Sequence, residues 1–394
     1  MDPTTGECAM ASGRADVKPF LVMEVLEEAE RLSRTGVDIV HFEVGEPDFD
    51  TPEPVKAAAR LALERNETHY THSLGLRELR EAIAEHYRET YGAAVSADEV
   101  MVTSGTSPAL SLLFSALLEP GDEVILSNPY YACYPNFIQF AGGIPVFVDI
   151  HPEEGYQFRA DAVRARLSPR TRAILVNSPA NPTGVVLEAG VLSELTHLGP
   201  LVVSDEVYHG LVYEGRAASV LESTDTRGAA VLNGFSKLYA MTGWRLGYAI
   251  ARPDLIRAMQ KLHQNFAISA SAFVQRAGIA ALTETSVEIE LMRRTYDERR
   301  RFMLDALARL GLRVPVVPTG AFYVLVDCRE YTHDSLGLAY ALLREAHVAV
   351  TPGIDFGSNA EGYIRLSYAT SIERITEGVG RLGRYLAASL HSAP

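Results

Sequence analysis

Lys237 closes the run Gly234-Phe235-Ser236-Lys237, and Arg245 follows eight residues later, in GFSKLYAMTGWRLG. A lysine amine can condense with an aldehyde cofactor. Small neighbours such as Ser236 let a flat ring approach the backbone. An arginine close by can grip a phosphate through two parallel bonds. A lysine in a glycine-rich surface turn would look similar, so the reading depends on partners elsewhere in the chain.

Several such partners follow apolar runs. Asp205, in Ser204-Asp205-Glu206-Val207-Tyr208, ends one of them. A carboxylate there is costly unless it is paired, and a protonated pyridine nitrogen is a suitable partner. The plainer alternative is a strand-end cap. Glu206 beside it reads as a solvated charge. Ser104-Gly105-Thr106-Ser107 joins an apolar run to a helical one. Backbone N–H groups at a helix start, with hydroxyls beside them, form an anion site, although a capping turn has the same composition. Asn177-Ser178-Pro179-Ala180-Asn181-Pro182-Thr183-Gly184 and Asn128-Pro129-Tyr130-Tyr131 each follow a strand-like run, and both also read as simple turns. Arg365 stands inside the apolar run GYIRLSYA, where it needs a partner: either a ligand anion or a structural salt bridge.

The elements that must position these residues are legible as alternating runs. Residues 99–104, 122–127, 144–150, 172–178, 201–207, 229–235 and 245–251 are short and rich in Val, Ile and Leu. Such strands suit a buried, mostly parallel sheet with helices on both faces. Pro108 to Leu118 reads as a helix capped by Ser107. A charged helix runs from about Val287 to Leu310. Residues 312–328 and 361–369 then form strands of a smaller unit, covered by helices near 336–345 and 372–388. The segment from about Val17 to Val44 is expected to fold back on that unit. Ligands gather at the carboxyl ends of strands in such sheets. No GxGxxG follows the first strand, which removes the phosphate loop a dinucleotide site would need.

The chain has 394 residues, 47% of them hydrophobic, enough for two domains. A net charge of −14 without a long basic block argues against nucleic acid or an anionic membrane as partner. Cys8, Cys133 and Cys328 lack metal-like or CxxC spacing and read as reduced thiols of a cytoplasmic protein. The histidines show no metal-binding pattern, so no metal is expected. The first 16 residues lack the apolar core of a signal peptide and read as a loose tail.

Taken together, GEPDF, the Tyr70 run HYTHSLGLRELREAI, NPTG, SDEVY, the lysine run and GYIRLSYA extend from Gly45 to Arg365 in one order. In that set and order the chain resembles the class I/II pyridoxal-phosphate (PLP) aminotransferases. The resemblance implies an α/β protein of fold-type I. A large domain, with a mostly parallel seven-stranded sheet between helices, joins a smaller α/β domain. Residues 46–290 would form the large PLP-binding domain. Residues 17–45 and 291–394 would form the small one.

The resemblance also implies roles. Lys237 would hold PLP and shuttle the proton. Asp205 would pair with the ring nitrogen. Asn181 and Tyr208 would reach the phenolic oxygen, and Tyr131 would stack on the ring. Gly105, Thr106, Ser107, Ser236 and Arg245 would hold the phosphate. Tyr70 would reach across a homodimer interface to the neighbour's phosphate. Gly45, Asn181 and Arg365 would bind substrate, with Arg365 on the α-carboxylate. One departure is Gly234, where many relatives carry serine, and Ser236 is the substitute at hand.

The implied activity is a ping-pong exchange of an amino group between an L-amino acid and a 2-oxo acid, through PLP and pyridoxamine phosphate. A carbon–sulfur lyase, synthase or decarboxylase would use the same cofactor residues. A non-catalytic PLP-binding regulator would need a fused DNA-binding module, for which the segment before Val17 is too short. Between Leu262 and Gln275 the chain has His263 and Gln264 but no arginine for a distal carboxylate. Phe20, Tyr131 and His209 are candidates for a pocket that takes apolar or aromatic side chains.

Overall fold

The computed structural model describes residues 17–391, with side chains to residue 388. The expected loose tail, residues 1–16, lies outside the described residues. Twelve strands occur among them: β1 (Val40–His41), β2 (Val100–Thr103), β3 (Glu123–Asn128), β4 (Ile144–Asp149), β5 (Thr171–Asn177), β6 (Leu201–Asp205), β7 (Ala229–Gly234), β8 (Gly247–Ile250), β9 (Tyr323–Asp327), β10 (Val348–Ala349), β11 (Thr351–Pro352) and β12 (Tyr363–Ser367).

Each of the seven apolar runs of residues 99–251 became one strand of a single sheet, in the order β2-β8-β7-β6-β5-β3-β4. β3 to β7 pair in parallel. β8 runs antiparallel to both of its neighbours. Every residue of β2, β7 and β8 is buried, as expected for strands covered on both faces. β4, at the sheet edge, leaves Ile144 44% exposed.

β11, β12 and β9 form an antiparallel sheet, and β1 pairs with β10. Helix α1 (Leu21–Ser33) buries Val22, Val25 and Ala29. The helix Ser286–Arg309 is 24 residues long and buries Tyr296, Met303 and Leu307 in the core behind the smaller sheet. Tyr208 and Leu211, just after β6, pack into that same core, so the loop after β6 joins the two sheets.

Three local expectations differ from the structure. The helix expected from Pro108 begins at Thr106, and Gly105 rather than Ser107 occupies its cap position. Only Gly247–Ile250 of the 245–251 run is strand, because Arg245 adopts a left-handed backbone with φ 52°. Within residues 312–328 the strand is confined to Tyr323–Asp327.

Candidate active site

The carboxyl ends of β5, β6 and β7 lie side by side, with Asn177 paired to Asp205 and Asp205 to Leu232. The chain leaves these ends through the NPTG loop, the Val207–Tyr208 turn and the Ser236-Lys237 turn. Together with α1 and β12 they line a cleft of about 370 Å³.

Lys237 enters the cleft half-buried and donates its Nζ to the Gly45 carbonyl at 2.5 Å. Burial pulls its amine down to about 8, opposed by the Glu46 carboxylate. Gly45 is required by close approach, since a Cβ there would stand 2.3 Å from the Tyr323 hydroxyl. Asp205, at the end of β6, is 5% exposed. Its carboxylate accepts from the Tyr134 hydroxyl at 2.7 Å and from the Val207 N–H at 3.2 Å. Burial raises its pKa to about 6, and no salt bridge joins it to a cation among the described residues.

On the other side of the cleft, Gly105 has φ 103° and heads the helix Thr106–Leu117. A Cβ on Gly105 would lie 2.5 Å from Arg245 Nη2, so glycine allows the guanidinium to rest against the helix start. Arg245 Nη1 also donates to the Thr242 carbonyl at 2.9 Å. Thr106, Ser107 and Ser236 line the cleft beside it. The result is a set of backbone donors, hydroxyls and one cation facing the same space.

Arg365, in β12, is 3% exposed. It donates to Asn181 Oδ1 at 2.9 Å, to Thr351 Oγ1 at 3.0 Å and to the Glu43 carbonyl. The Tyr323 ring lies 4.3 Å from its guanidinium, and its Nε has no partner. The backbone of Asn181 is held in turn by Asn177 Oδ1 at 2.8 Å. Tyr208 shares a hydroxyl–hydroxyl bond of 2.8 Å with Tyr323. Burial pushes the Tyr208 phenol well up, so it stays protonated.

The fold therefore brings Lys237, Asp205, Asn181, Tyr208, Tyr131, Arg245, Arg365, Gly45 and the Thr106 helix start to one cleft. It adds Tyr134 and Tyr323, which the motifs did not single out. Tyr134 carried a weak signal as the third tyrosine of the NPYYACYP run. Two expectations need correction. His209 does not line the cleft: it is buried in a separate cluster, where its Nδ1 meets the Tyr91 hydroxyl at 2.8 Å. Glu206, read as a solvated charge, is fully buried among hydrogen-bond donors. Tyr70 is 80% exposed and lies outside the lining of its own cleft. Phe20 and Tyr131 do line it, with rings edge-on at 5.9 Å.

The profile of the family Aminotransferase class I and II matches residues 37–382. This chain belongs to that family. It is similar, at 44% identity over 94% of this chain and 97% of the relative, to the aspartate/prephenate aminotransferase of Thermus thermophilus. A valine–pyruvate aminotransferase of Mycobacterium tuberculosis is 39% identical over 95% of this chain and 97% of its own. The structure of the Thermus thermophilus aspartate aminotransferase with maleate superposes with a TM-score of 0.92. It is 43% identical and covers 95% of this chain and 99% of that one.

The aminotransferase thus has the fold-type I architecture expected from its motifs, and it is a transaminase of a PLP-dependent family. Its residues fit that cofactor. A buried carboxylate without a cation suits a protonated ring nitrogen, and the Gly105–Arg245 cradle suits a phosphate. Lys237 offers an amine of lowered pKa in the same cleft. Among the described residues no cluster of three or more His, Cys, Asp or Glu could hold a metal ion, and no helix is long and apolar enough to cross a membrane.

Proposed function

We propose that the aminotransferase holds PLP on Lys237 in this cleft and exchanges an amino group between an L-amino acid and a 2-oxo acid. The observation that carries the reading is convergence: an amine, a buried carboxylate with no cation, and two arginines from separate elements face one space. When bound, PLP supplies a ring that accepts the electron pair left on the substrate Cα.

The chain's own residues do the rest. Arg365 grips the substrate carboxylate, with Asn181 and Thr351 fixing the guanidinium. That grip orients the Cα–H bond. Lys237, held near neutrality by burial, takes the proton from Cα and returns it. With the cofactor bound, Asp205 would keep a positive charge on the ring nitrogen, Tyr208 and Asn181 would serve its phenolic oxygen, and Tyr131 would serve the ring face. Gly105, Thr106, Ser107, Ser236 and Arg245 would hold its phosphate.

The exposed Tyr70 fits an active unit that is a two-fold homodimer, in which each Tyr70 completes the other phosphate site. In this reading residues 46–290 form the cofactor domain, residues 17–45 and 291–394 the smaller one, and the protein is cytoplasmic.

The test is a half-reaction. PLP-loaded enzyme mixed with an amino acid should release one equivalent of oxo acid per site. Lys237→Ala should abolish this release and still bind PLP through Asp205 and Arg245, as followed by equilibrium dialysis. Release at the wild-type rate from Lys237→Ala, without added amine, would sink the assignment.

A further inference from the structure

We infer that the substrate side chain is apolar and that α1 sets this preference; the inference rests on the amino-acid reading of the cleft. Three cations line the cleft among the described residues: Lys237, Arg245 and Arg365. Each already has a task, as amine, phosphate anchor and carboxylate grip. Lys18, on the exposed lead into α1, is not part of the lining.

The wall left over for a side chain carries Phe20, Val22, Met23, Leu26 and Leu110. Two carboxylates, Asp205 and Glu46, share the cleft, and Glu46 accepts from the Thr242 hydroxyl. A second substrate carboxylate would therefore leave water without a free cation among this chain's own lining residues to meet it, and like charges would stand nearby. An apolar side chain only exchanges water for the α1 wall.

The wall is held in place by Asp355. Its two oxygens accept from the Leu21 N–H at 3.1 Å and the Val22 N–H at 3.2 Å, at the start of α1. A carboxylate suits a helix start. Phe356, the next residue, places its ring 5.1 Å from the Arg365 guanidinium. One turn of chain thus supports both the apolar wall and the carboxylate grip. Asp355 is a positioning residue that fixes the spacing between them.

Calorimetric titration of PLP-saturated enzyme with unreactive carboxylates tests this directly. 4-Methylpentanoate and 3-phenylpropanoate should bind tighter than succinate and maleate by about fivefold or more. A smaller ratio, or preference for the dicarboxylates, overturns the inference and leaves the amino-acid reading intact. Failure of all four to bind overturns that reading as well. Met23 is 46% exposed, so Met23→Arg should fold. It adds a cation to the wall and should lower the ratio at least about threefold. Asp355→Ala should lower it in the same direction by loosening α1. An unchanged ratio in both variants removes α1 from the pocket.

Discussion

Asp205 and Glu206 are neighbours in the chain, both carboxylates and both buried, yet they live in different regions. Successive residues along an extended strand point to opposite faces, so one reaches the cleft and the other the packed side of the sheet. Burial lifts both, Asp205 to about 6 and Glu206 to about 7. Their partners differ. Glu206 accepts from Tyr87 at 3.0 Å, Ser204 at 3.2 Å, Ser219 at 2.9 Å and the Val220 N–H at 3.0 Å. Asp205 has one hydroxyl and one N–H. A buried carboxylate saturated by the protein holds the fold together. One left short of donors beside a cleft is built for a ligand.

The sharpest way to break this contrast is Asp205→Ala. In PLP-saturated enzyme the rate of α-proton removal should fall about 10²- to 10³-fold, the scale of losing one electrostatic stabiliser. The apoenzyme should keep its melting temperature. Single-turnover kinetics and calorimetry read the two effects separately. An unchanged proton-removal rate would dismiss Asp205 as the partner of the ring nitrogen.

Glu206→Ala should show the reverse. It strands the Tyr87, Ser219 and Val220 donors in the core and should cost about 2–4 kcal/mol in urea unfolding. Turnover per folded molecule should drop less than about tenfold. Full stability with lost turnover would move Glu206 into the chemistry.

Arg365 extends the comparison to a buried cation on the cleft side, its Nε unpartnered. Arg365→Leu should lower kcat/KM about 10- to 150-fold, the equivalent of roughly 1.5–3 kcal/mol. The loss should be similar for every amino acid, because each carries the α-carboxylate. A loss confined to one side-chain class would place Arg365 at the side-chain pocket.

The smallest effect is in the pH dependence of stability. Glu206 goes from an ordinary 4.5 to about 7 on folding, so its stabilisation is present below pH 4.5 and lost as pH rises through 7. His209, 3.6 Å away, goes from 6.5 down to about 4 by burial. Its contribution is present above pH 6.5 and lost as pH falls through 4. The two slopes oppose between pH 4.5 and 6.5. Glu206→Gln should leave a stability curve that rises with pH across that window, and His209→Gln one that falls, each by about 2 kcal/mol. Parallel curves for the two variants would show that neither group titrates alone.

Much of this was legible in the chain. All seven strands of the large sheet were visible as apolar runs, because strands covered on both faces must be apolar throughout. Asp205 and Arg365 stood out because a charge in such a run needs a partner. The direction of β8 was not legible, since a fully buried strand has the same composition in either direction. Glu206 misled for a different reason: its donors come from Tyr87, Ser219 and Val220, which are distant in sequence. His209 was drawn away from the cleft by Tyr91, 118 residues before it.

The sequence by itself determined which family the chain joins and which residues are the candidates for its chemistry. Those motifs are short turns at strand ends, and their local shape is written in Gly, Pro and small residues. Only the tertiary structure decided which buried groups are satisfied and which are left facing the cleft. That outcome depends on donors and apolar walls assembled from segments up to 334 residues apart, as with Leu21 and Asp355. No local pattern encodes such a sum, because each contribution comes from a different part of the chain.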